Sequence, residues 1–103
     1  MSSIQAVCVG VVTIDTIALV DKYPSADERV GAQEISRAGG GPAAVAAVAL
    51  SRLGIKSAIV GTIGDDADGK EVLRIFEKEG VDTSGISLGT SATAGSVIVA
   101  SKE

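Results

Sequence analysis

Cysteine, histidine and tryptophan are scarce or absent in this 103-residue chain, which has one cysteine, no histidine and no tryptophan. Because zinc sites are built mainly from cysteine and histidine ligands, no zinc centre is expected. The single Cys8 has no partner for an internal disulfide and lies in an apolar run. A packed, reduced thiol is the expected state, and it favours a cytoplasmic location.

Basic and aromatic residues are also few. The chain has nine Lys and Arg against thirteen Asp and Glu, one Tyr and one Phe, and a formal net charge of −4. Nucleic-acid-binding surfaces carry basic clusters interleaved with aromatic residues, so no nucleic-acid partner is expected. No apolar run approaches the roughly 20 residues that span a bilayer, and no charged segment precedes a long apolar one near the N-terminus. We therefore expect a soluble protein without a membrane partner.

Aliphatic residues are abundant, and their pattern predicts the order of elements. Continuous β-branched runs favour strands, the first of them buried on both faces, and alanine-rich or amphipathic runs that end at glycine favour helices. The predicted strands cover residues 4–12, 28–36, 57–62 and 93–101, with a short or irregular strand over 81–88, and the predicted helices cover 42–53 and 68–79. Strands that alternate with helices indicate an α/β fold with a parallel sheet.

The most distinctive local feature is a glycine turn. Gly39, Gly40 and Gly41 precede Pro42 and the alanine-rich run AAVAAVAL. Glycine permits tight turns and close approach of a ligand, and proline fits the first turn of a helix. The free N–H groups of a helix N-terminus suit an anion or a polyhydroxy ligand. The pattern predicts a ligand-contacting loop before a buried helix, with a plain strand-to-helix turn as the alternative.

Asp15 and Thr13 are candidate ligand-binding residues in an extended apolar segment. Residues two apart on a strand point to the same side, so both could face one ligand. On the pattern alone, ordinary strand residues are an equal alternative.

A second acidic group follows the predicted strand at 57–62. Asp65 and Asp66 favour a turn and helix capping over ligand binding. Asp68 and Glu71 have the spacing of a capping box at the start of the next helix.

Three segments, in order, resemble the ribokinase-like, or PfkB, carbohydrate kinases. They are CVGVVTIDTIALVDKYP at 8–24, AGGGPAAVAAVALSRLG at 38–54 and VGTIGDDADGKEVLRIFEKEGVDTSGI at 60–86. The resemblance implies an α/β fold of the ribokinase-like three-layer sandwich type with a small β-sheet lid. Residues 1–103 would be the N-terminal portion of a single kinase domain. The lid strands would lie at approximately 11–20, 28–36 and 93–101.

The resemblance also implies ATP-dependent phosphorylation of a sugar hydroxyl. By this analogy Asp15 would hydrogen-bond sugar hydroxyls, and Gly40 and Gly41 would bring backbone N–H groups against the sugar, with Thr13 and Gly39 as further substrate-binding candidates. The family's catalytic base, anion hole and most of its nucleotide pocket belong to a C-terminal motif that this sequence does not contain. ATP and Mg²⁺ would be bound mainly there, and the isolated chain is predicted to be inactive because phosphoryl transfer needs these groups. A homodimer through the lid strands is expected.

One departure from the family bears on the substrate. Where the family has an asparagine after the glycines, this chain has Ala44 or Val45. The variant resembles the sulfofructose kinase branch, whose substrate is a ketose with a sulfonate. Lys22 and Arg29, near the expected lid, could meet an anionic substituent, although solvated surface charges are favoured.

Two alternatives remain open. The chain could be a non-catalytic sugar-binding or oligomerisation module made of the lid and half-domain. A dinucleotide-binding Rossmann unit is weaker, because the glycines come about 25 residues too late after the first strand. Few strands and two helices would leave a sheet edge open and one face bare, so the sequence reads as the front part of a larger protein.

Overall fold

A computed structural model describes residues 3–103 and divides them between two sheets and two helices. The core sheet has the strand order β1-β4-β5, and the outer sheet has the order β3-β2-β6. The elements in this part of the chain are β1 (Ala6–Val9), β2 (Thr13–Val20), β3 (Glu34–Gly40), α1 (Pro42–Arg52), β4 (Ser57–Gly64), α2 (Ala67–Lys78), β5 (Asp82–Gly89) and β6 (Gly95–Ser101).

The core sheet is parallel throughout, with β4 between β1 and β5. Parallel neighbours need a crossover connection, and α1 and α2 supply it while covering one face of the sheet. The core lies between this face and the helices, and its buried residues are Val12, Ile14, Ala44, Ala47, Ile59, Ile63, Val72, Phe76 and Val81. The predicted α/β fold with a parallel sheet is confirmed.

Within residues 3–103, no helix covers the opposite face of the core sheet. Val7 and Val9 on β1 are 59% and 71% exposed, whereas Cys8 between them is partly buried and packs against the core. The prediction of a first strand over 4–12 that is buried on both faces is therefore wrong. Successive residues of a strand point to opposite faces, and the helices cover only one of them.

The outer sheet has β2 at its centre, antiparallel to β3 and parallel to β6. β1 leads through residues 10–12 into this sheet and not directly into a helix, which excludes the Rossmann alternative. β6 agrees with the strand predicted at 93–101, but β3 occupies Glu34–Gly40 instead of 28–36. The glycine turn is corrected accordingly, because Gly39 and Gly40 are strand residues and only Gly41 lies at the turn into α1.

Both helices begin at identifiable caps. Pro42 occupies the first turn of α1, and Gly41 is its N-cap with a φ of 96°. The N-cap of α2 is Asp66, whose side chain accepts a hydrogen bond from the Gly69 N–H. The predicted capping box at Asp68 and Glu71 is therefore wrong by two residues. Glu71 instead forms an ion pair with Arg74 one turn later.

Candidate functional site

Asp15 lies on the central strand of the outer sheet, paired with Ala38 on β3 and Ser96 on β6. Its Oδ1 accepts a hydrogen bond from Thr13 Oγ1 at 2.9 Å and another from Ser96 Oγ at 2.7 Å. Thr13 and Asp15 therefore share one face of β2, as predicted. Two hydroxyl donors from two strands fix the orientation of the carboxylate.

Gly40 provides the space that this carboxylate occupies. A Cβ at Gly40 would overlap Asp15 Oδ2 and lie 2.6 Å from Thr13 Oγ1. Within residues 3–103, Oδ2 receives no hydrogen bond, whereas Oδ1 receives two. The structure therefore presents one carboxylate oxygen as a free acceptor beside a position that only glycine can fill.

The other two glycines of the turn serve different purposes. A Cβ at Gly39 would lie 3.7 Å from Ile75 Cγ2 of α2, which is an ordinary contact on the side away from Asp15. A Cβ at Gly41 would overlap the Val11 carbonyl oxygen, where the chain passes from the core sheet to the outer sheet. Of the five predicted site residues, the structure therefore places Thr13, Asp15 and Gly40 next to one another. A Cβ at Gly39 or Gly41 would instead meet Ile75 or the Val11 carbonyl group.

Ser96 belongs to this cluster and was not predicted from the sequence. It is 81 positions from Asp15, and the two meet only because β6 pairs with β2 in a parallel register. A serine in a mostly apolar strand is a weak signal. Only knowledge of the strand pairing would have identified it.

Asp66 forms a second polar cluster at the start of α2. Its carboxylate accepts hydrogen bonds from the Thr93 hydroxyl, the Thr93 N–H and the Gly69 N–H at 2.6, 2.9 and 2.8 Å. These bonds, the one from the Thr93 hydroxyl first, hold the pKa of the Asp66 carboxyl below its usual range. The capping role predicted for Asp66 is confirmed, and Asp65 is exposed on the turn.

The remaining candidates lie elsewhere. Ala44 is buried in the core, and Val45 is 60% exposed in a groove of about 320 Å³ between the two helices. Lys22 and Arg29 are exposed in the connection between β2 and β3. That connection starts beyond Val20, and the five residue-to-residue steps from Asp15 to Val20 span about 17 Å of strand. The positions of Lys22 and Arg29 favour the interpretation that both are solvated surface charges.

Two further observations concern the described residues 3–103. They contain no group of three or more acidic, cysteine or histidine side chains placed to hold a metal ion. Neither helix among them combines the length and apolar character needed to cross a membrane.

Comparisons with known proteins identify the family of the chain. The family profile described as pfkB family carbohydrate kinase matches residues 3–103. An ATP-dependent ribose-1-phosphate kinase of Halopiger xanaduensis is 34% identical over 83 residues, which are 81% of this chain and 28% of that protein. The ketohexokinase of Mus musculus is 36% identical over 86 residues, which are 82% of this chain and 28% of that protein.

Solved structures of the same family share the fold. A ribokinase from Cryptococcus neoformans in complex with ADP has a TM-score of 0.79 at 27% identity, over 97% of this chain and 32% of that one. A fructokinase from Halothermothrix orenii has a TM-score of 0.72 at 31% identity, over 87% of this chain and 31% of that one. The chain thus spans about a third or less of the proteins it matches. Because the family profile matches all the described residues, the chain belongs to the pfkB family of carbohydrate kinases.

Proposed function

We propose that this chain is the sugar-binding N-terminal part of an ATP-dependent kinase that phosphorylates a sugar hydroxyl. The observation that carries the proposal is the Asp15 carboxylate, oriented by Thr13 and Ser96 with its Oδ2 free beside Gly40. Hydrogen bonds from hydroxyl groups to an ionised carboxylate are among the stronger ones in proteins, which suits recognition of a sugar. Relatives named ribokinase and ketohexokinase support the assignment of a sugar to this site.

The outer sheet is proposed to be the lid of this kinase. It stands beside the core sheet as a separate three-stranded sheet and carries Asp15 on its central strand. A lid that closes over the substrate excludes water from phosphoryl transfer. The lid strands would then be β2, β3 and β6.

The chemical step is assigned to the remainder of the protein. Phosphoryl transfer needs a group that orients the attacking hydroxyl, together with metal ions and dipoles that stabilise the transferring phosphoryl group. By the resemblance to the pfkB family, ATP and Mg²⁺ are proposed to bind mainly outside this chain. On its own the chain would bind sugar without turnover.

Steady-state kinetics of the full-length protein test this proposal. We expect sugar-dependent conversion of ATP to ADP, with the γ-phosphoryl group transferred to a sugar hydroxyl to form a sugar phosphate. Sugar binding without any turnover in the full-length protein would instead favour the alternative of a non-catalytic sugar-binding module. Absence of both binding and turnover with every sugar would overturn the proposal.

For the substrate we propose sulfofructose or a related ketose. The first turn of α1 reads PAAV and offers no polar side chain at the place where the family has asparagine. A comparison of sulfofructose, fructose and ribose by kcat/KM tests this point. Sulfofructose is expected to give the highest value, and a preference for ribose would contradict the substrate assignment without affecting the kinase assignment.

A homodimer through the outer sheet is proposed as the assembly. Ile35, Val97 and Val99 are exposed on the face of this sheet opposite Asp15, since they pair with Ala18 and Thr16. Exposed apolar rows on a small sheet favour association between two copies.

Light scattering of the full-length protein tests this assembly. The substitution Val97→Lys is expected to yield monomers. The control Leu53→Lys, at a residue that is 79% exposed on α1's C-cap, should leave the dimer intact. A dimer that persists after Val97→Lys would contradict this interface.

A further inference from the structure

The segment 90–94, called here the return segment, leads from β5 of the core sheet back to β6 of the outer sheet. Thr93 within it is only 9% exposed, although its side chain is polar. Its hydroxyl donates to Asp66 Oδ1 at 2.6 Å and accepts the Gly64 N–H at 2.9 Å. Its own N–H donates to Asp66 Oδ2 at 2.9 Å. The hydroxyl and the N–H of Thr93 are therefore both hydrogen-bonded, to Asp66 and, for the hydroxyl, also to Gly64.

Helix capping alone does not require this arrangement. An N-cap side chain needs one acceptor for an N–H of the first turn, and Asp66 Oδ1 already accepts the Gly69 N–H. The two hydrogen bonds from Thr93 are additional. Packing around them is tight, because a Cβ at Gly64 would lie 2.5 Å from the Thr93 nitrogen, and one at Gly69 would lie 3.1 Å from Thr93 Oγ1.

Thr93 is connected to the candidate sugar site by the backbone hydrogen bonds of the residues that follow it. The next residue, Ala94, accepts the Ile14 N–H on its carbonyl oxygen at 3.0 Å. The ladder then pairs Ile14 with Gly95 and Asp15 with Ser96. Only two residues, Ala94 and Gly95, thus lie between Thr93 and the serine that donates to Asp15. A shift of one residue in this register would turn Ser96 to the other face of the sheet.

We propose that Asp66 is a positioning residue of the sugar site, which fixes the register of β6 against β2 through Thr93 and so keeps Ser96 on Asp15. The inference rests on the proposed function, since the sugar is what Asp15 is proposed to bind. It adds that the Asp66 carboxylate, at the start of α2, sets the geometry of the Asp15 carboxylate on the outer sheet.

Two variants separate this role from helix capping. Asp66→Ser keeps a good N-cap, but its single short hydroxyl cannot hold both groups of Thr93. Asp66→Asn places its NH₂ against either the Gly69 N–H or the Thr93 N–H, whichever way the amide is turned. Thr93→Ser retains the hydroxyl and the N–H and is the conservative control.

In the full-length protein, Asp66→Ser is expected to raise the sugar KM roughly tenfold with a smaller change in kcat, as for the loss of a hydrogen bond to a charged group. Thr93→Ser should stay near the wild-type value. If Asp66 acts through Ser96, the double variant D66S/S96A should bind sugar no more weakly than S96A alone. Additive losses in the double variant, or a wild-type KM in D66S, would overturn the inference.

Amide hydrogen exchange at Ile14 provides a readout that needs no sugar. Because the Ile14 N–H is bonded to Ala94, its exchange should accelerate on the order of tenfold in D66S and remain slow in Thr93→Ser. Unchanged exchange in D66S would overturn the inference. Accelerated exchange in a protein that binds no sugar would support the positioning of β6 and contradict the proposed function instead.

Discussion

At the scale of single residues, three consecutive glycines meet three different requirements. Gly40 leaves room for the Asp15 carboxylate, Gly41 combines a positive φ with close passage of the Val11 carbonyl, and Gly39 faces only ordinary packing against Ile75. The sequence could suggest a glycine turn at a ligand. It could not separate these roles, because they depend on which atoms lie opposite each Cα.

Alanine substitutions along the glycine turn should therefore have unequal effects. Gly39→Ala should be neutral or stabilising by up to about 1 kcal/mol, since it only restricts the unfolded chain. Gly40→Ala should cost about 1–3 kcal/mol and weaken sugar binding by displacing Asp15. Gly41→Ala should cost at least about 1–2 kcal/mol through its left-handed backbone.

Chemical denaturation and sugar titration of the three variants in the full-length protein check this order. Gly39→Ala serves as the matched control for the other two. Equal destabilisation by all three substitutions would contradict the assignment of separate roles.

Asp66 makes stability depend on pH in a defined direction. Its folded-state pKa is lowered by the hydrogen bonds from Thr93 and Gly69, so the folded state favours the charged carboxylate. This stabilisation is fully present above about pH 4, where an unfolded aspartate is ionised, and is lost as pH falls below that value.

Unfolding midpoints of wild type and Asp66→Asn at pH 7, 5 and 3 measure this contribution. The difference between the two proteins should be largest at pH 7 and should shrink at pH 3. The neighbouring Asp65 and Asp68 are present in both proteins and cancel in the comparison. A difference that is constant across this range would show that ionisation of Asp66 does not contribute.

At the scale of elements, strand and helix types were predictable where the hydrophobic pattern is strong. The core strand β4 and helix α1 follow aliphatic runs, and α2 follows an amphipathic run. The positions of all three agree with prediction to within one or two residues. The predicted position of β3 was several residues too early, because the strand is exposed along most of its length and ends in glycine. Its bounds are set by pairing with β2, a tertiary effect that local propensity does not contain. The contact of Ser96 with Asp15 could not be predicted for the same reason, because it depends on the pairing of β6 with β2.

The helix layer should depend on its single aromatic residue. Phe76 on α2 is 2% exposed and belongs to the core cluster. Phe76→Ala should destabilise the full-length protein by about 3–5 kcal/mol through the cavity it leaves. Leu53→Ala, at a residue that is 79% exposed, should stay within about 0.5 kcal/mol. Chemical denaturation compares the two, and similar losses would contradict the described core.

At the scale of the whole molecule, a parallel α/β sheet could be predicted from the alternation of strands and helices. The separate outer sheet could not, and it was expected only from the resemblance to ribokinase-like kinases. Assignment to the pfkB family is secure along residues 3–103. A cytoplasmic location, the homodimer and the binding of Mg²⁺ elsewhere in the protein stay predictions.

The proposal that the chemical step lies outside this chain predicts an inactive chain. We expect the purified 103-residue chain to show no ATP-dependent turnover under conditions in which the full-length protein phosphorylates its sugar. Measurable turnover by the purified chain would contradict the assignment of the chemical step to the remainder of the protein.

Calorimetric titration of the full-length protein with its sugar, compared between wild type, Asp15→Asn and Asp65→Asn, tests the central claim most directly. Asp15→Asn should weaken sugar binding roughly ten- to hundredfold, because a hydroxyl bonded to a carboxylate loses its charged acceptor. Asp65→Asn removes the same charge from an exposed turn and should bind as wild type does. Equal affinities for Asp15→Asn and wild type would show that the sugar is bound elsewhere.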